Sequence, residues 1–568
     1  MQNLEEEIFK QAVRNAYEHN GKADPNAVLG KVLKAFPDYK SRIQELRAAI
    51  NDVVSRVNSM SPEDLKESYN RYADEFNRHY QEIQEKTSKP NLNIEGAEYG
   101  KVVTRFAPSP NGFMHIGHAK VAFLSNEVKS IYNGKIYLYF DDTNPEKDKQ
   151  EFVDQFLRDL DWLGLKFDDI YFASDNIERI YELAKQLISV GKAYVCLCTP
   201  DTIKRNRKEG LECEHREQSV EENQRLFQMM LDKRFKEHEA VLRFKGDMKD
   251  PNTVMRDPTL ARIKYVNHYR HKDRYAVWPT YDLNTPVNDS IHGITDVIRS
   301  KEYELRDRLD TEILKALGLN VPRIHSESRL VIKNNITHKR LLNKLLHEKL
   351  IKGLDDPRLV TIAGLRNRGV RPEAIKDFVL RFGFSKTDSV VDIGMLLSYN
   401  KRYIDDTAKR LIGFENPIKL KLNFDINNPI RADLHPSRDI GYRELYIKDS
   451  AIYINKDEFS GPGVYKLRFI GNIKIKEENG ALSADITNSK ADRVLHWLPS
   501  LDRAIKVAYV KDPLKDGVFD NQSIEVKRLY VEPYEEKIEI NEYIQLEGQG
   551  FFYRNSYYED ERYIFISK

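Results

Sequence analysis

Hydrophobic and polar positions change rhythm several times along the chain. Phe9, Val13 and Tyr17 stand four apart, and SPEDLKE (61–67) offers a serine cap with an acid three residues on. Residues 1–97 therefore predict a helical appendage, closed by a linker that starts at Pro90-Asn91-Leu92 and runs to Gly100. A different pattern follows. KVVTRF (101–106) is a β-type run that meets the turn-forming APSPNG (107–112), and a helix is expected from about His115 to Tyr132. After Asn133-Gly134, KIYLYF (135–140) predicts a second strand, and the next helix aligns Phe152, Val153, Phe156, Leu157, Leu160 and Leu163 on one face. Strand, helix, strand, helix is a parallel α/β unit. Its first half spans 98–194. A second half, 271–328, carries the strand-like GITDVIR (293–299) and a helix over Thr311–Leu317, so 195–270 reads as an insertion. Residues 329–414 are helical and basic in pattern. Beyond 415, short alternating runs such as IKLKLNF (418–424), AIYIN (451–455), GNIKIK (471–476) and RYIFIS (562–567) predict an all-β half built of barrels.

Composition agrees with that division. At 568 residues the chain calls for three to five packed units. Its 40% hydrophobic and 32% charged residues argue against a disordered or a membrane protein, and no apolar run reaches the roughly 18–20 residues of a spanning helix. The N-terminus, MQNLEEEIFKQAV, lacks the basic-then-apolar order of a secretory signal, so a cytosolic location is expected. The net charge of +2 conceals opposed segments. Residues 141–180 carry 5 basic against 12 acidic residues, a net −7, whereas 321–390 carry 15 against 7, a net +8. A polyanion would find its field in the second.

The most informative segment is RFAPSPNGFMHIGH (105–118). A strand delivers a Pro/Gly turn onto a helix N-terminus, where free N–H groups and the positive dipole end favour phosphate. His115 and His118, three apart, can face one ligand, and Gly117 leaves room for a nucleotide to approach the backbone. This segment resembles the first motif of class I aminoacyl-tRNA synthetases of the glutamyl/glutaminyl branch. FDDTNPEK (140–147), VMRDPTLARIK (254–264), PTYD (279–282), GITDVIR (293–299), SRL (328–330) and GLDDPR (353–358) follow in the order of that branch, and the β half resembles its archaeal and eukaryotic type.

The resemblance implies a Rossmann-type catalytic domain, an insertion that binds the acceptor end of tRNA, a helical stem-contact domain and anticodon-binding β barrels. It assigns His115, His118 and Lys339 to phosphate chemistry, Lys339 lying in ITHKR (336–340), where His338 replaces the usual serine. Pro108, Gly117, Arg329 and Leu330 would bind ATP. For the amino acid it implies Arg299 and Arg105 near the side-chain carboxylate, Asp141 on the α-ammonium group and Tyr281 as a wall. Arginine at 299 suits a carboxylate rather than an amide, so glutamate is expected. Tyr139 and Thr285 depart from the family pattern, which usually has Arg and, in bacterial enzymes, Asn at these positions.

All three cysteines fall in one window, Cys196-Leu-Cys198 and Cys213-Glu-His215. Three thiolates and an imidazole make the usual set of a closed, structural zinc site, inert buried cysteines being the alternative. The expected reaction uses ATP and Mg2+ to form glutamyl-adenylate, then transfers glutamate to the 2′-OH of the tRNA terminal adenosine. Its partners are tRNA(Glu), with tRNA(Gln) open as a second substrate, and the chain is expected to be a monomer. Asp257 is expected to read the acceptor stem from the minor groove, and Arg358, with Arg366 and Arg368, to contact tRNA phosphates. The competing readings are a glutaminyl-tRNA synthetase, a nucleotidylyltransferase and a non-catalytic tRNA-binding paralogue.

Overall fold

The computed structural model describes residues 2–18, 22–36, 39, 42–61, 63–65, 67–69, 71–72, 92–336, 339–426, 429–491, 493–557 and 563–567. The chain divides into two compact units, Met1–Lys89 and Pro90–Lys568.

The first unit is helical, as the periodicity predicts. Helices Gln2–Glu18, Pro25–Ala35 and Ile43–Asn58 share a core of Ile8, Ala12, Val13, Ala16, Val28, Val32, Ile50, Val53, Val54 and Val57. Asp24 caps the second helix by accepting from the Asn26 N–H at 3.0 Å. Of the stripe Phe9, Val13, Tyr17, only Val13 lies at the centre. Phe9 packs at the margin, and exposed Tyr17 stacks on Tyr69 with ring centroids 3.9 Å apart.

The expected linker is partly core. Leu92 and Ile94 are buried in the second unit, and the Ile94 N–H donates to the Tyr132 hydroxyl at 2.7 Å. β1 (Val103–Phe106), β2 (Lys135–Phe140) and β3 (Asp169–Phe172) form a parallel sheet in the order 1-2-3. An antiparallel four-stranded sheet then interrupts the α/β pattern, made by β4 (Ala193–Cys196), β5 (Val241–Phe244), β6 (Thr259–Ile263) and β7 (Val277–Pro279) in sequential order. The insertion thus reaches further than 195–270 at both ends. β8 (Asp296–Ser300) and β9 (Arg323–Glu327) are parallel, and β8 lies beside β1. The Thr295 N–H donates to Val103 O at 2.9 Å, while the Thr295 hydroxyl accepts from Val103 N at 2.8 Å. The parallel strands therefore run 3-2-1-8-9, and the chain direction of winding reverses between β1 and β8, where α/β folds open a ligand crevice.

Residues 330–410 are mainly helical, but Leu330–Ile332 and Ser389–Val391 pair as two parallel strands that the pattern did not predict. The basic character of this stretch also has an internal use. Arg358 is buried and bonds Asp356 through Nε (2.9 Å) and Nη2 (2.8 Å), with Nη2 also donating to Leu350 O. Arg368 is buried and donates to Val510 O at 3.1 Å, and Arg366 reaches Asp159 at 3.5 Å beside the Trp162 ring. The expectation of exposed phosphate contacts is corrected for Arg358 and Arg368, because their guanidinium groups tie the helical segment to its own acids and to the β half.

The β half begins at Lys409, not 415, and holds two seven-stranded sheets. In each, the two edge strands are neighbours in sequence: Lys409–Leu411 and Gly413–Phe414 in one, Val494–Leu495 and Trp497–Leu498 in the other. A single residue at the corner, Ile412 or His496, brings the sheet's edges together and removes exposed edges, which gives the barrel form. Charge pins both corners. Buried Glu532 accepts from the Ile412 N–H and pairs with buried Arg443, while His496 lies between Glu458 (2.7 Å) and Glu547 (3.4 Å). Glu532→Gln leaves Arg443 a buried cation without its counter-ion, and we expect a loss of about 3–5 kcal/mol. Urea unfolding followed by circular dichroism checks this; a wild-type midpoint would contradict it.

Candidate active site

The turn after β1 is held from below by the exit of β2. Asp141 N donates to Pro108 O and Lys149 N to Pro110 O, each at 3.0 Å. His115, in extended conformation, caps the helix Ile116–Ile131. Its Nδ1 accepts from Gly117 N at 3.1 Å, and His118 Nδ1 accepts from His115 N at 3.2 Å, a capping box made of two imidazoles. The rings stack with centroids 3.8 Å apart. Because each Nδ1 is an acceptor, the proton of each neutral ring sits on Nε2, and both rings offer an N–H donor. Burial, with the Arg329 charge adding to it, pushes His115 down to about 4, and burial with His115 holds His118 well below the usual histidine range. The two histidines are thus neutral donors at pH 7 rather than cations. Gly117 serves them too: a Cβ there would lie 3.0 Å from His115 Cε1.

A cavity of about 490 Å³ opens over this cap, at the reversal point between β1 and β8. The sequence-assigned residues Arg105, Pro108, His115, Gly117, His118, Asp141, Tyr281, Arg299, Arg329 and Leu330 all line it. Lys339 opens the helix Lys339–His347, whose Leu342 and Asn343 also line the cavity. The Lys339 side chain, Thr337 and His338 lie outside what is described.

The two arginines that line the cavity from β1 and β8 are already paired. Arg105 is buried, with Nε and Nη2 on Asp289 at 2.9 and 3.2 Å and Nη1 on Ile298 O at 3.2 Å. It is therefore a strut between β1 and the second half of the fold while also lining the cavity. Arg299 sends Nη2 to Asp307 (2.5 Å) and Asp310 (2.7 Å) and Nη1 to the Tyr281 hydroxyl (3.2 Å), and its buried Nε has no hydrogen-bond partner. Part of its fork remains for a ligand. Asp141 Oδ1 accepts from Asn284 Nδ2 at 2.7 Å, and the same amide donates to the Tyr139 hydroxyl at 3.1 Å, so Tyr139 takes a defined place in the polar network. Burial, reinforced by the Asp142 charge, raises Asp141 to about 7. Thr285 lines the cavity with its Oγ1 buried and without a hydrogen-bond partner.

Sequence reasoning missed Asp289, Asn284, Asp307 and Asp310. A signal for the first existed: Tyr281, Thr285 and Asp289 are four apart and share a face of the helix Tyr281–Ile291. It also missed the opposite wall, where Lys120 pairs with Glu327 and donates to Ser328 O at 2.6 Å, all buried. That lysine fixes the backbone directly before Arg329 and Leu330.

The second constellation lies in the insertion. Ligand atoms of Cys196, Cys198, Cys213 and His215 all fall within 4.8 Å of one another. Cys196 Sγ is 3.8 Å from Cys213 Sγ and Cys198 Sγ 3.5 Å from His215 Nδ1. A tetrahedron of Zn–S bonds of about 2.3 Å has edges of about 3.8 Å, so the donor set fits that ion. Asp257 is fully buried beside it. Its carboxylate accepts from Tyr194 Oη (2.9 Å), Arg216 Nε (3.0 Å) and Gly246 N (2.8 Å), which corrects the expectation that it meets a base in the minor groove.

A parallel sheet wound in the order 3-2-1-8-9, with paired histidines capping the helix after β1, is the catalytic architecture of class I aminoacyl-tRNA synthetases. The family model described as tRNA synthetases class I (E and Q), catalytic domain, matches residues 101–405. A Glutamate–tRNA ligase of Nitrosopumilus maritimus is 36% identical over 97% of this chain and 98% of its own, and one of Pyrococcus furiosus is 37% identical over 87% and 89%. A crystal structure of a glutamate tRNA ligase from Elizabethkingia meningosepticum covers 54% of this chain and 70% of its own at 19% identity, with a TM-score of 0.40. The chain belongs to the E and Q family of class I tRNA synthetases.

Proposed function

We propose that this chain is a glutamate–tRNA ligase. The observation that carries the choice of amino acid is Arg299, buried at the end of β8, lining the cavity and with its guanidinium fork only partly used by the chain. Asp307 and Asp310 occupy only its Nη2 edge, and a carboxylate accepts from the remaining N–H donors without offering a donor of its own, whereas an amide would turn an NH2 group toward the guanidinium. Tyr281 orients the guanidinium, Asp307 and Asp310 hold its far edge, and Asp141 takes the ammonium group of the substrate. The α-carboxylate then points toward the histidine cap, where ATP lies with its base against Arg329 and Leu330.

In the first step a carboxylate oxygen of glutamate attacks the α-phosphorus of Mg-bound ATP, the bond to the bridging oxygen breaks, and pyrophosphate leaves with the electron pair. The Nε2–H groups of His115 and His118 donate to phosphate oxygens, with Lys339 on the leaving side. No protein nucleophile is needed, because positioning and charge stabilisation supply the acceleration. In the second step the 2′-OH of the terminal adenosine attacks the carbonyl of the mixed anhydride, the bond to the phosphate oxygen breaks, and AMP leaves, its phosphate taking up the hydroxyl proton. The insertion would hold the acceptor end of tRNA and the β barrels the anticodon. Cys196, Cys198, Cys213 and His215 would hold one Zn2+, whose four protein ligands leave no open position, so its part is structural.

Charging assays with separate tRNA(Glu) and tRNA(Gln) transcripts test the reading. Labelled glutamate should be esterified to tRNA(Glu), and transfer to tRNA(Gln) would define a second substrate; charging with glutamine, or with neither amino acid, contradicts the proposal. A pH effect follows from Asp141, which faces Asp142, Asp289 and Arg105. Its carboxyl, raised to about 7, is protonated below that pH and then offers the ammonium group no charge. KM for glutamate should rise as pH falls from 8 to 6, approaching tenfold per unit below 7, with kcat less affected. Asp141→Asn should remove the inflection, and a flat wild-type KM would contradict the assignment.

A further inference from the structure

Arg243 is among the most deeply buried side chains of the molecule, at 1% exposure, and among the described residues it forms no ion pair with a carboxylate. Its Nε donates to Asp257 O at 2.9 Å, its Nη1 lies 3.8 Å from Cys196 Sγ and 3.9 Å from Cys213 Sγ, and its Nη2 has no hydrogen-bond partner. A buried guanidinium is costly without an anion beside it. The nearest acid, Asp257, already meets Arg216, the Tyr194 hydroxyl and the Gly246 amide. Asp257 acts on Arg243 through its charge, but the anionic groups that Nη1 itself meets are the sulfurs of the cysteine cluster. A divalent ion with three thiolates and a neutral imidazole carries a net charge of minus one, which one guanidinium balances.

A second observation joins the cluster to the loop 246–258. Asp257 holds a positive φ of 41°, unusual for a residue with a side chain, and its carbonyl is the one that Arg243 grips. Gly246, the loop's first residue, lies so close to its far end that a Cβ would come 2.1 Å from Met255 O. Tyr194 spans the gap: its hydroxyl is 3.7 Å from Cys213 Sγ and donates to Asp257 Oδ2 at 2.9 Å. The Arg243 guanidinium lies 5.6 Å from the Tyr194 ring centroid.

We infer that Arg243 is the counter-charge of the metal cluster and that, with Tyr194 and Asp257, it makes metal binding and the ordering of the 246–258 loop a single event. This rests on the zinc reading above. Partners in this outer layer orient the ligands and set their charge, and their loss commonly weakens metal binding by about 10–100-fold. The loop lies in the insertion, so its order would be felt where tRNA is held.

The test uses the full-length chain. Zinc affinity is measured by competition with a chromophoric chelator, and loop order by hydrogen exchange over 246–258. Wild type should hold one equivalent of zinc, and its removal should raise exchange in the loop. Arg243→Met should bind zinc about 10–100-fold more weakly, with Arg243→Lys recovering part of the loss. Tyr194→Phe should retain zinc yet show raised loop exchange with the metal present, and it carries the test should Arg243→Met fail to fold. Wild-type zinc affinity in Arg243→Met, or loop exchange indifferent to chelation, overturns the inference. A wild type that holds no zinc instead overturns the metal reading, and this inference with it.

Discussion

The catalytic fold depends on the buried bond between Arg105 and Asp289. The α/β sheet is interrupted by more than eighty residues of insertion, and its two halves make a cleft only if β1 stays beside β8. Arg105 leaves β1, takes both oxygens of Asp289 on the helix of the second half and reaches the carbonyl of Ile298 on β8. A cation buried in this way is satisfied in one arrangement only. Once it is satisfied, Thr285 and Tyr281, one and two turns earlier on the same helix face, are delivered to the cavity.

The same economy governs the rest of the site. Nearly every buried charge is answered by the chain itself: Arg299 by Asp307 and Asp310, Lys120 by Glu327, Arg443 by Glu532. Under the proposed reading, what remains for substrates is small and directional. The histidine cap contributes Nε2–H donors without charge, Arg299 keeps part of its fork, and Asp141 is poised between its two protonation states. A site of this kind selects by geometry and by the last unpaired donor rather than by a large net field.

Much of this was legible in the sequence because the elements that carry it are local. KIYLYF matches β2 residue for residue, the helix after HIGH falls within one residue of its predicted ends, and AIYIN is a strand as written. The cysteine window also closes as its spacing requires. The pairing of the other charged residues was not legible: Arg105 and Arg368 are held by partners distant in sequence, Asp257 by partners inside the insertion, and Arg358 turns back on Asp356 only two residues away. The 329–414 stretch has a net basic charge, but its sign says nothing about direction, and two of its three singled-out arginines point inward. Barrel closure at Ile412 and His496 was equally out of reach, since edge strands of two or three residues leave no periodicity to read.

The central claim is that the charge on Arg299 decides which amino acid is activated. The direct measurement is tRNA-supported ATP–pyrophosphate exchange with glutamate and with glutamine, for wild type and Arg299→Gln. The account predicts a wild-type preference for glutamate in kcat/KM of at least ~10³-fold, lost in the variant through collapse of glutamate activation. Wild-type glutamate activity in Arg299→Gln, or a wild type that prefers glutamine, would contradict it.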